Sequence, residues 1–383
     1  MGTIQELRIA AKRWWQVQRG GTSAKPDHDA FRDGFANLSN SPAIEKLSIC
    51  EVPSDQPPWF DSEIDLVPGE EVSLFAVGRT ILSKPLDVWV GPQFQLWARI
   101  SENGDVFNGT RTSNSFSAEA GGRLFLSSYF PGQWGDRHGR LATELSEYAG
   151  IGGGLTVAII RWKTSAAAGL KSLHIEAERK GESTLAEEIL AESVREADPP
   201  REPSGWSYLW FLGRSDIFAR DKDEIRCHTR ENAGILQTEV PCALTPDTRI
   251  AWDWKIDSLP STMAENAVLS HDYLSLAVEF NNGRDITYYW SSELSVGTGY
   301  WCPLPTWKDR EFHVVIRIGE TELGAWLSEE RNLYEDYQHY IGAPPARIVR
   351  VWLIANSLLQ RMDGVCSYRR ILLSNADHRH ELL

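Results

Sequence analysis

Short runs of alternating apolar and polar residues fill the chain between Trp59 and about Trp162. Period-two alternation in runs rich in β-branched and aromatic residues is typical of strands with one buried face. Glycine-containing turns (ENGD, EAGG and IGGG) separate the runs, and this arrangement predicts a β-sandwich or barrel. The runs are EVSLFAVG, FQLWARI, GRLFLSSYF and GLTVAIIRW.

The pattern becomes helical between positions 164 and 200, where Ala, Glu, Leu and Lys recur at helical spacing. The prolines of ADPPREPSG end this stretch, and we interpret residues 164–204 as a helical connector between two domains. An amphipathic helix is predicted over residues 3–18, whereas residues 20–58, rich in Gly, Ser, Pro, Asp and Asn, are expected to be irregular.

A second set of strand-like runs extends from Trp206 to about Asn375 and predicts a second, separate all-β domain. One short helix is predicted within it at SEERNLYEDYQHY, because Gly342 and two prolines follow that segment. The strand-like runs are IAWDWKI, LSLAVEF, DITYYW, EFHVVIRIG and RIVRVWLIAN.

Composition and charge exclude several function classes. Asp and Glu number 53 against 39 Lys and Arg, so the net charge is −14, which disfavours nucleic acid as a partner. No apolar run reaches the length of a membrane span and the N-terminus lacks a signal-peptide pattern, so we expect a cytoplasmic protein without a membrane partner. The five cysteines lie far apart without a C-x-x-C pair, which favours reduced thiols over disulfides or structural zinc.

Known catalytic motifs are also missing from the sequence. There is no G-x-S-x-G, Walker loop, G-x-G-x-x-G after a strand or H-E-x-x-H. We therefore expect no cofactor and no metal. The 16 tryptophans are expected to serve mostly in packing, with a few facing a ligand.

The stretches FQLWARISENGDVFNGT, FSAEAGGRLFLSSYFPGQWGDRHG and GGGLTVAII follow one another between residues 94 and 162. In their order of strands, turns and a final P-G-x-aromatic-G loop they resemble the bacterial galactose-binding lectin family of the PA-I galactophilic type. The resemblance implies a sandwich whose loop supplies calcium ligands, and the calcium in turn holds galactose hydroxyls. The ligand positions of the family fall on Tyr129, Gln133, Asp136 and Arg137, and because a Tyr and an Arg suit calcium poorly, we expect no calcium.

The segments IAWDWKIDSLP, HDYLSLAVEF, ITYYWS, HVVIRIG, GAWLSEERNLYEDYQHYIGAPP and RVWLIAN lie between residues 206 and 375. They resemble an uncharacterised bacterial all-β family, a domain of unknown function, and the resemblance implies a jelly-roll sandwich. The predicted fold class is therefore all-β, with two jelly-roll or galactose-binding-like β-sandwiches joined by a helical connector. The predicted divisions are 1–58 (helix and irregular arm), 59–163 (lectin-like sandwich), 164–204 (connector) and 205–383 (second sandwich).

The loop PGQWGDRHG at residues 131–139 is the first candidate site. Loops at one end of a sandwich are frequent binding sites. Trp134 could stack on a ring, Arg137 could hold an anion or hydroxyls, and His138 could transfer a proton. The alternative is a solvated turn with a structural tryptophan.

The second candidate is His271 with Asp272, just before a strand. A carboxylate beside a histidine can fix its tautomer and raise its basicity, but adjacent residues on a strand point to opposite faces. A direct pair therefore requires a loop, and the alternative is an exposed His271 beside an Asp272 that caps a turn.

Strand parity gives a third candidate in the second domain. It places Glu279, His313, Arg317 and Trp352 on one sheet face, which is either a polar cleft or, as we expect, a plain solvent face. Tyr289 lies opposite Tyr288 and Trp290, and Trp301 lies in a Gly/Pro loop. These aromatic residues are expected to form either a ligand wall or the interface to the first domain.

Two functions of different class remain open. One is a metal-independent lyase or hydrolase that acts on a small glycoside or aromatic compound between the two sandwiches. Its acid-base residues would come from His138, His271, Asp272, Glu279 and His313, and its binding residues from Trp134, Arg137, Tyr289, Trp301, Arg317 and Trp352. The other is a non-catalytic carbohydrate-binding or assembly protein, for which a homo-oligomer is possible.

Overall fold

The computed structural model describes residues 2–19, 25–108, 111–128 and 134–383. The chain forms two compact units. The N-terminal unit comprises residues 14–200 and 210–214, and the C-terminal unit comprises residues 1–13, 201–209 and 215–383. Helix α1 (Gly2–Gln18) contributes to both. Within the described ranges, no helix is both long enough and apolar enough to cross a membrane.

The N-terminal unit is a β-sandwich with helices on one outer face. Its helices are α2 (His28–Leu38), α3 (Pro92–Gln95), α4 (Ala166–Lys180) and α5 (Ser183–Ala197). Its strands are β1 (Ile44–Pro53), β2 (Phe60–Leu66), β3 (Glu71–Ser83), β4 (Val88–Val90), β5 (Leu96–Ile100), β6 (Phe107–Asn108), β7 (Ser113–Ser117), β8 (Gly122–Ser128) and β9 (Gly152–Trp162). One sheet has the order β1-β9-β3-β4 with β7 also on β3, and the other has the order β2-β8-β5-β6.

Strand β9 is buried on both of its faces. Leu155, Val157 and Ile159 pack into the core that the two sheets share. Ile160 and Trp162 point the other way, into a second core with apolar side chains of α2, α4 and α5. This two-sided burial explains why GLTVAIIRW is almost continuously apolar.

Two expectations for this half of the chain are corrected. The stretch 20–58 is not irregular throughout, because it contains α2 and strand β1, which pairs with β9 along its full length. The helices between 164 and 204 form as predicted, but they pack on the sheet of the N-terminal unit and are part of its core.

The C-terminal unit is a second β-sandwich, as the alternation predicted. Its strands are β10 (Ser207–Tyr208), β11 (Phe218–Asp221), β12 (Glu224–Thr229), β13 (Ala233–Ala243), β14 (Arg249–Ser258), β15 (Tyr273–Phe280), β16 (Asp285–Ser291), β17 (Gly299–Trp301), β18 (Glu311–Ile318), β19 (Leu327–Asn332), β20 (Arg347–Asn356), β21 (Gly364–Ser374) and β22 (Arg379–Glu381). Helix α6 (Leu333–Tyr340) follows β19. The sheets have the orders β10-β13-β20-β15-β16-β18-β17 and β11-β12-β21-β14-β19, with β22 on β21.

The predicted strand parity of the seven-stranded sheet is confirmed. Phe312 and Val314 of β18, and Tyr288 and Trp290 of β16, all point into the core between the sheets. The all-β fold class, with two β-sandwiches, is thus correct.

The opposite face of this sheet is not a solvent face, which corrects the expectation. His313 is completely buried, and Glu279 and Trp352 are nearly so. Residues before β15 and after β17 contribute side chains to this face. The His271 ring lies 4.7 Å from the His313 ring of β18, and Cys302 Sγ lies 3.3 Å from His271 Nε2.

The helix expected at SEERNLYEDYQHY begins later than predicted. Its first residues form strand β19, and Asn332 then starts α6 by accepting hydrogen bonds from the backbone N–H groups of Tyr334 and Glu335 at 3.1 Å each. An asparagine in this capping position satisfies N–H groups that have no partner inside the helix.

Candidate functional site

An open cleft of about 620 Å³ lies in the N-terminal unit where the start of α2 meets the ends of β1 and β9. Small-molecule sites typically measure roughly 300–1,000 Å³, so this cleft is of the right size. It is lined by His28, Arg32, Glu51, Val52, Pro53, Gly153 and Gly154. None of the residues that the sequence singled out belongs to this lining.

A chain of hydrogen bonds fixes the polar side chains of the cleft. Thr156 donates its hydroxyl hydrogen to Glu51 Oε2 at 2.8 Å. The Thr156 oxygen therefore accepts from His28 Nδ1, 2.7 Å away, which places the proton of a neutral His28 on Nδ1 and leaves Nε2 as an acceptor. Arg32 donates to the other oxygen of Glu51, so both carboxylate oxygens are held in place.

The charge of the cleft discriminates between ligand classes. Arg32 is paired with Asp29 as well as with Glu51, so one cation meets two carboxylates. An anionic ligand would meet net negative charge there, whereas a neutral polyol would meet both donors and acceptors.

The predicted loop site in the same unit is organised around packing. Trp134 is 3% exposed, stacks on Trp59 at 5.0 Å between ring centroids and meets Trp97 edge-on at 5.8 Å. The guanidinium of Arg137 lies 5.2 Å from the ring centre of Trp210. His138 is mostly exposed, with Nδ1 3.3 Å from Asp105. Trp134 is therefore packed against other rings of this unit, and the ligand roles predicted for Trp134, Arg137 and His138 remain predictions.

The structure describes only two of the four positions that the lectin resemblance assigns to calcium ligands, Asp136 and Arg137. Tyr129 and Gln133 lie outside the described residues. Asp136 accepts hydrogen bonds from the backbone N–H groups of His138 and Arg140 and from the Arg140 side chain, so its carboxylate closes the loop. These contacts hold the pKa of Asp136 below its ordinary value, the Arg140 backbone bond being the largest cause.

In the C-terminal unit, His271 and Asp272 are both completely buried and do not pair with each other. The Asp272 carboxylate accepts hydrogen bonds from the backbone N–H groups of Leu359 and Gln360. Burial raises the pKa of Asp272 to about 6. His271 Nδ1 lies 2.6 Å from the backbone oxygen of Glu265, while Nε2 points the other way. Burial, with His313 as the second cause, lowers the pKa of His271 to about 3, so its imidazole is neutral.

His271 belongs to a buried cluster with Cys302, Glu311 and His313, whose nitrogen, sulfur and oxygen atoms all lie within 4.8 Å of one another. His271 Nε2 is 3.3 Å from Cys302 Sγ, and His313 Nε2 is 3.5 Å from Glu311 Oε1. Tyr273 donates to Glu311 at 2.8 Å. Burial opposes ionisation of Glu311, but the neighbouring His313 and the hydrogen bond from Tyr273 outweigh it and lower the pKa of this carboxyl. These residue types are metal ligands.

The remaining predicted residues each have their own contacts, and their roles in a site remain predictions. Glu279 pairs with Arg350 at 2.8 Å, and Arg317 pairs with Glu329 at 2.8 Å. Trp352 is buried edge-on against Trp307. Tyr289 accepts a hydrogen bond from Tyr300 and lies beside the buried cluster, whereas Trp301 is half-exposed on edge strand β17.

Sequence reasoning missed both the cleft and the cluster. The cleft depends on α2, which lay in the stretch expected to be irregular. In the cluster, Glu311 and His313 lie two residues apart on one strand, which the sequence pattern indicates. Cys302 has no C-x-x-C partner, so its spacing gives no sign of a metal ligand.

Comparison with known proteins gives a partial family match. Residues 217–372 match the model of a family described as "Protein of unknown function (DUF3047)", which is less than half of the chain. No curated protein matches the chain.

Solved structures show distant likenesses. A PllA-like lectin, the EclA N-terminal domain, shares 16% identity over 30% of this chain and 94% of its own, with a TM-score of 0.23. The xyloglucanase domain of NopAA from Sinorhizobium fredii shares 6% identity over 45% of this chain and 94% of its own (TM-score 0.29). A tandem CBM22 domain from Paenibacillus barcinonensis shares 10% identity over 81% and 80% (TM-score 0.22). These scores are too low to transfer a ligand to this chain.

Proposed function

We propose that this protein is a non-catalytic carbohydrate-binding protein and that its binding site is the cleft lined by His28, Arg32 and Glu51. The observation that carries the proposal is the fixed hydrogen-bonding set in a cleft of small-ligand size. Preorganised polar groups on a rigid scaffold lose little entropy on binding, which favours affinity for a small ligand.

The polar groups of the cleft suit vicinal hydroxyls. A hydroxyl both donates and accepts, and here Arg32 supplies donors while Glu51 and His28 supply acceptors. Each oxygen of Glu51 accepts one bond inside the protein, so the carboxylate keeps lone pairs for a ligand. Pro53 adds an apolar surface for the C–H face of a sugar ring.

The non-catalytic interpretation is preferred over a lyase or hydrolase because of where the predicted acid-base residues lie. His271, Asp272 and His313 have no exposed surface. A general acid or base must come within hydrogen-bond distance of its substrate, directly or through one water, and a side chain without exposed surface cannot do so in this conformation. His138 is mostly exposed on its loop, so the described residues do not shield it from water as a reaction site would require.

A test uses isothermal titration calorimetry of the full chain against a panel of neutral monosaccharides and disaccharides, with uronic acids as anionic counterparts. We expect binding of at least one neutral sugar and weaker or no binding of its acidic counterpart. Glu51→Gln should lower the affinity for the sugar by about ten- to a hundred-fold, because hydrogen bonds to a charged carboxylate contribute about that much to binding.

Glu147→Gln is the matched control, because this glutamate is exposed and lies outside the cleft lining. Its affinity should equal that of the wild type. Sugar binding that survives Glu51→Gln at full strength would place the site elsewhere, and release of a cleaved product would refute the non-catalytic assignment.

A further inference from the structure

We propose that His271, Cys302, Glu311 and His313 form a structural Zn²⁺ site inside the C-terminal unit. This site is independent of the sugar cleft, since no residue is common to both.

Strand topology brings the four ligands together. Glu311 and His313 are two residues apart on β18 and therefore project from the same face of the sheet. Strand β17 runs antiparallel beside β18 with Trp301 opposite Phe312, so Cys302, the next residue, lies opposite Glu311. The Cys302 backbone N–H donates to the Glu311 carbonyl oxygen at 2.9 Å, which fixes this register.

Two of the ligand–ligand separations match a tetrahedral centre. With metal–ligand distances of about 2.0–2.3 Å, two ligands of a tetrahedral zinc lie about 3.3–3.8 Å apart. The His271–Cys302 and Glu311–His313 pairs are 3.3 Å and 3.5 Å apart, whereas the other pairs reach up to 4.8 Å and must close by about 1 Å around the ion.

His313 supplies an independent indication of a ligand. It is completely buried; Nδ1 makes no hydrogen bond within the described residues, and Nε2 lies 3.5 Å from Glu311 Oε1, beyond the usual hydrogen-bond length. A buried polar group without a partner is costly, and an ion at this position would satisfy His313 Nε2.

The surroundings of the cluster have the form of a metal site. His271 Nδ1 is held by the Glu265 carbonyl oxygen, which directs the lone pair of Nε2 toward Cys302 and His313. Glu311 Oε1 accepts from Tyr273 at 2.8 Å and from Thr287 at 3.2 Å, so the carboxylate is oriented as well.

The choice of zinc follows from charge and ligand chemistry. One thiolate and one carboxylate balance the two positive charges of Zn²⁺, so the buried site is neutral. Two imidazoles, a thiolate and a carboxylate suit zinc better than the hard cations Ca²⁺ or Mg²⁺. Four protein ligands leave no open position, which is typical of structural sites.

The test is Co²⁺ titration of the chelator-treated full chain, followed by displacement with Zn²⁺. We expect one Co²⁺ per chain, visible bands of tetrahedral cobalt and a near-ultraviolet thiolate-to-cobalt band, all of which Zn²⁺ abolishes. Cys302→Ser should lose the thiolate band, whereas Cys242→Ser, which removes another buried thiol of this unit, should keep it.

Two results would overturn the proposal. One is wild-type protein that retains no stoichiometric cobalt after gel filtration, a result that does not depend on the folding of any variant. The other is a thiolate band that persists in Cys302→Ser, which would assign the metal to another thiol. Circular dichroism of each variant verifies that it is folded.

Discussion

The substitution Gly169→Ala tests the packing of α4 on the sheet of the N-terminal unit. A Cβ atom at Gly169 would lie 2.2 Å from one carbon of the Trp162 ring and 2.6 Å from two others. The ring cannot easily move away, because it is 3% exposed and its Nε1 donates to Ser73 Oγ at 2.8 Å. The helix must therefore shift by about 1 Å to reach an ordinary contact distance.

Two opposing effects decide whether Gly169→Ala raises or lowers the free energy of unfolding. In an exposed helix interior, alanine is favoured over glycine by about 1 kcal/mol. Overpacking a filled core costs about 1–3 kcal/mol. The contact at Gly169 is among the severe cases, so we expect a net loss of about 1–2 kcal/mol in the free energy of unfolding. For a unit of this size the melting temperature should fall by roughly 3–6 °C.

The assay is thermal unfolding of the full chain followed by tryptophan fluorescence. Gly34→Ala in α2 is the matched control, since its Cβ would meet only the ends of the Glu182 and Leu185 side chains at 3.2 Å. Its melting temperature should change by less than that of Gly169→Ala. A rise in melting temperature for Gly169→Ala would show that α4 does not pack tightly against Trp162, as expected of a loose connector.

Two further substitutions test the ion pairs and the aromatic cluster. Burial would raise the pKa of Asp253, but hydrogen bonds from Ser328, Arg369 and Arg370 outweigh it and lower that pKa. A carboxyl with a lowered pKa stabilises the fold above its unfolded pKa and loses this effect as the pH falls through the folded value. Asp253→Asn should therefore cost about 1–3 kcal/mol at pH 7 in urea unfolding and progressively less in acid, and an equal cost at all pH values would contradict this. Trp134→Leu should lower the stability of the N-terminal unit by about 2 kcal/mol and leave sugar affinity unchanged; a lost affinity with unchanged stability would restore Trp134 as a ligand platform.

Much of the fold could be predicted from the sequence because alternation reports burial directly. The opposite orientations of Tyr288 and Tyr289 follow from parity alone. Strand β21 was missed because its alternation is interrupted: its pairing with β14 shifts register near Arg370, which has a positive φ of 52°, and Arg369 and Arg370 form ion pairs with Asp253.

The sites were harder to predict because they depend on tertiary contacts. Parity placed His313 on the correct face but could not show that residues from outside β18, such as His271 and Cys302, contact that face. The cleft joins the start of α2 to strands far along the chain, and its key contact links His28 with Thr156. This contact cannot be predicted from the residue types or from their separation along the chain.

The most direct test of the proposed binding site is to locate a bound sugar in a crystal structure of the full chain soaked with the tightest ligand of the panel. We expect sugar density in the cleft, with ring hydroxyls within hydrogen-bond distance of the Glu51 carboxylate and the Arg32 guanidinium. Density at the loop of residues 134–141 instead, with the cleft left to solvent, would contradict it.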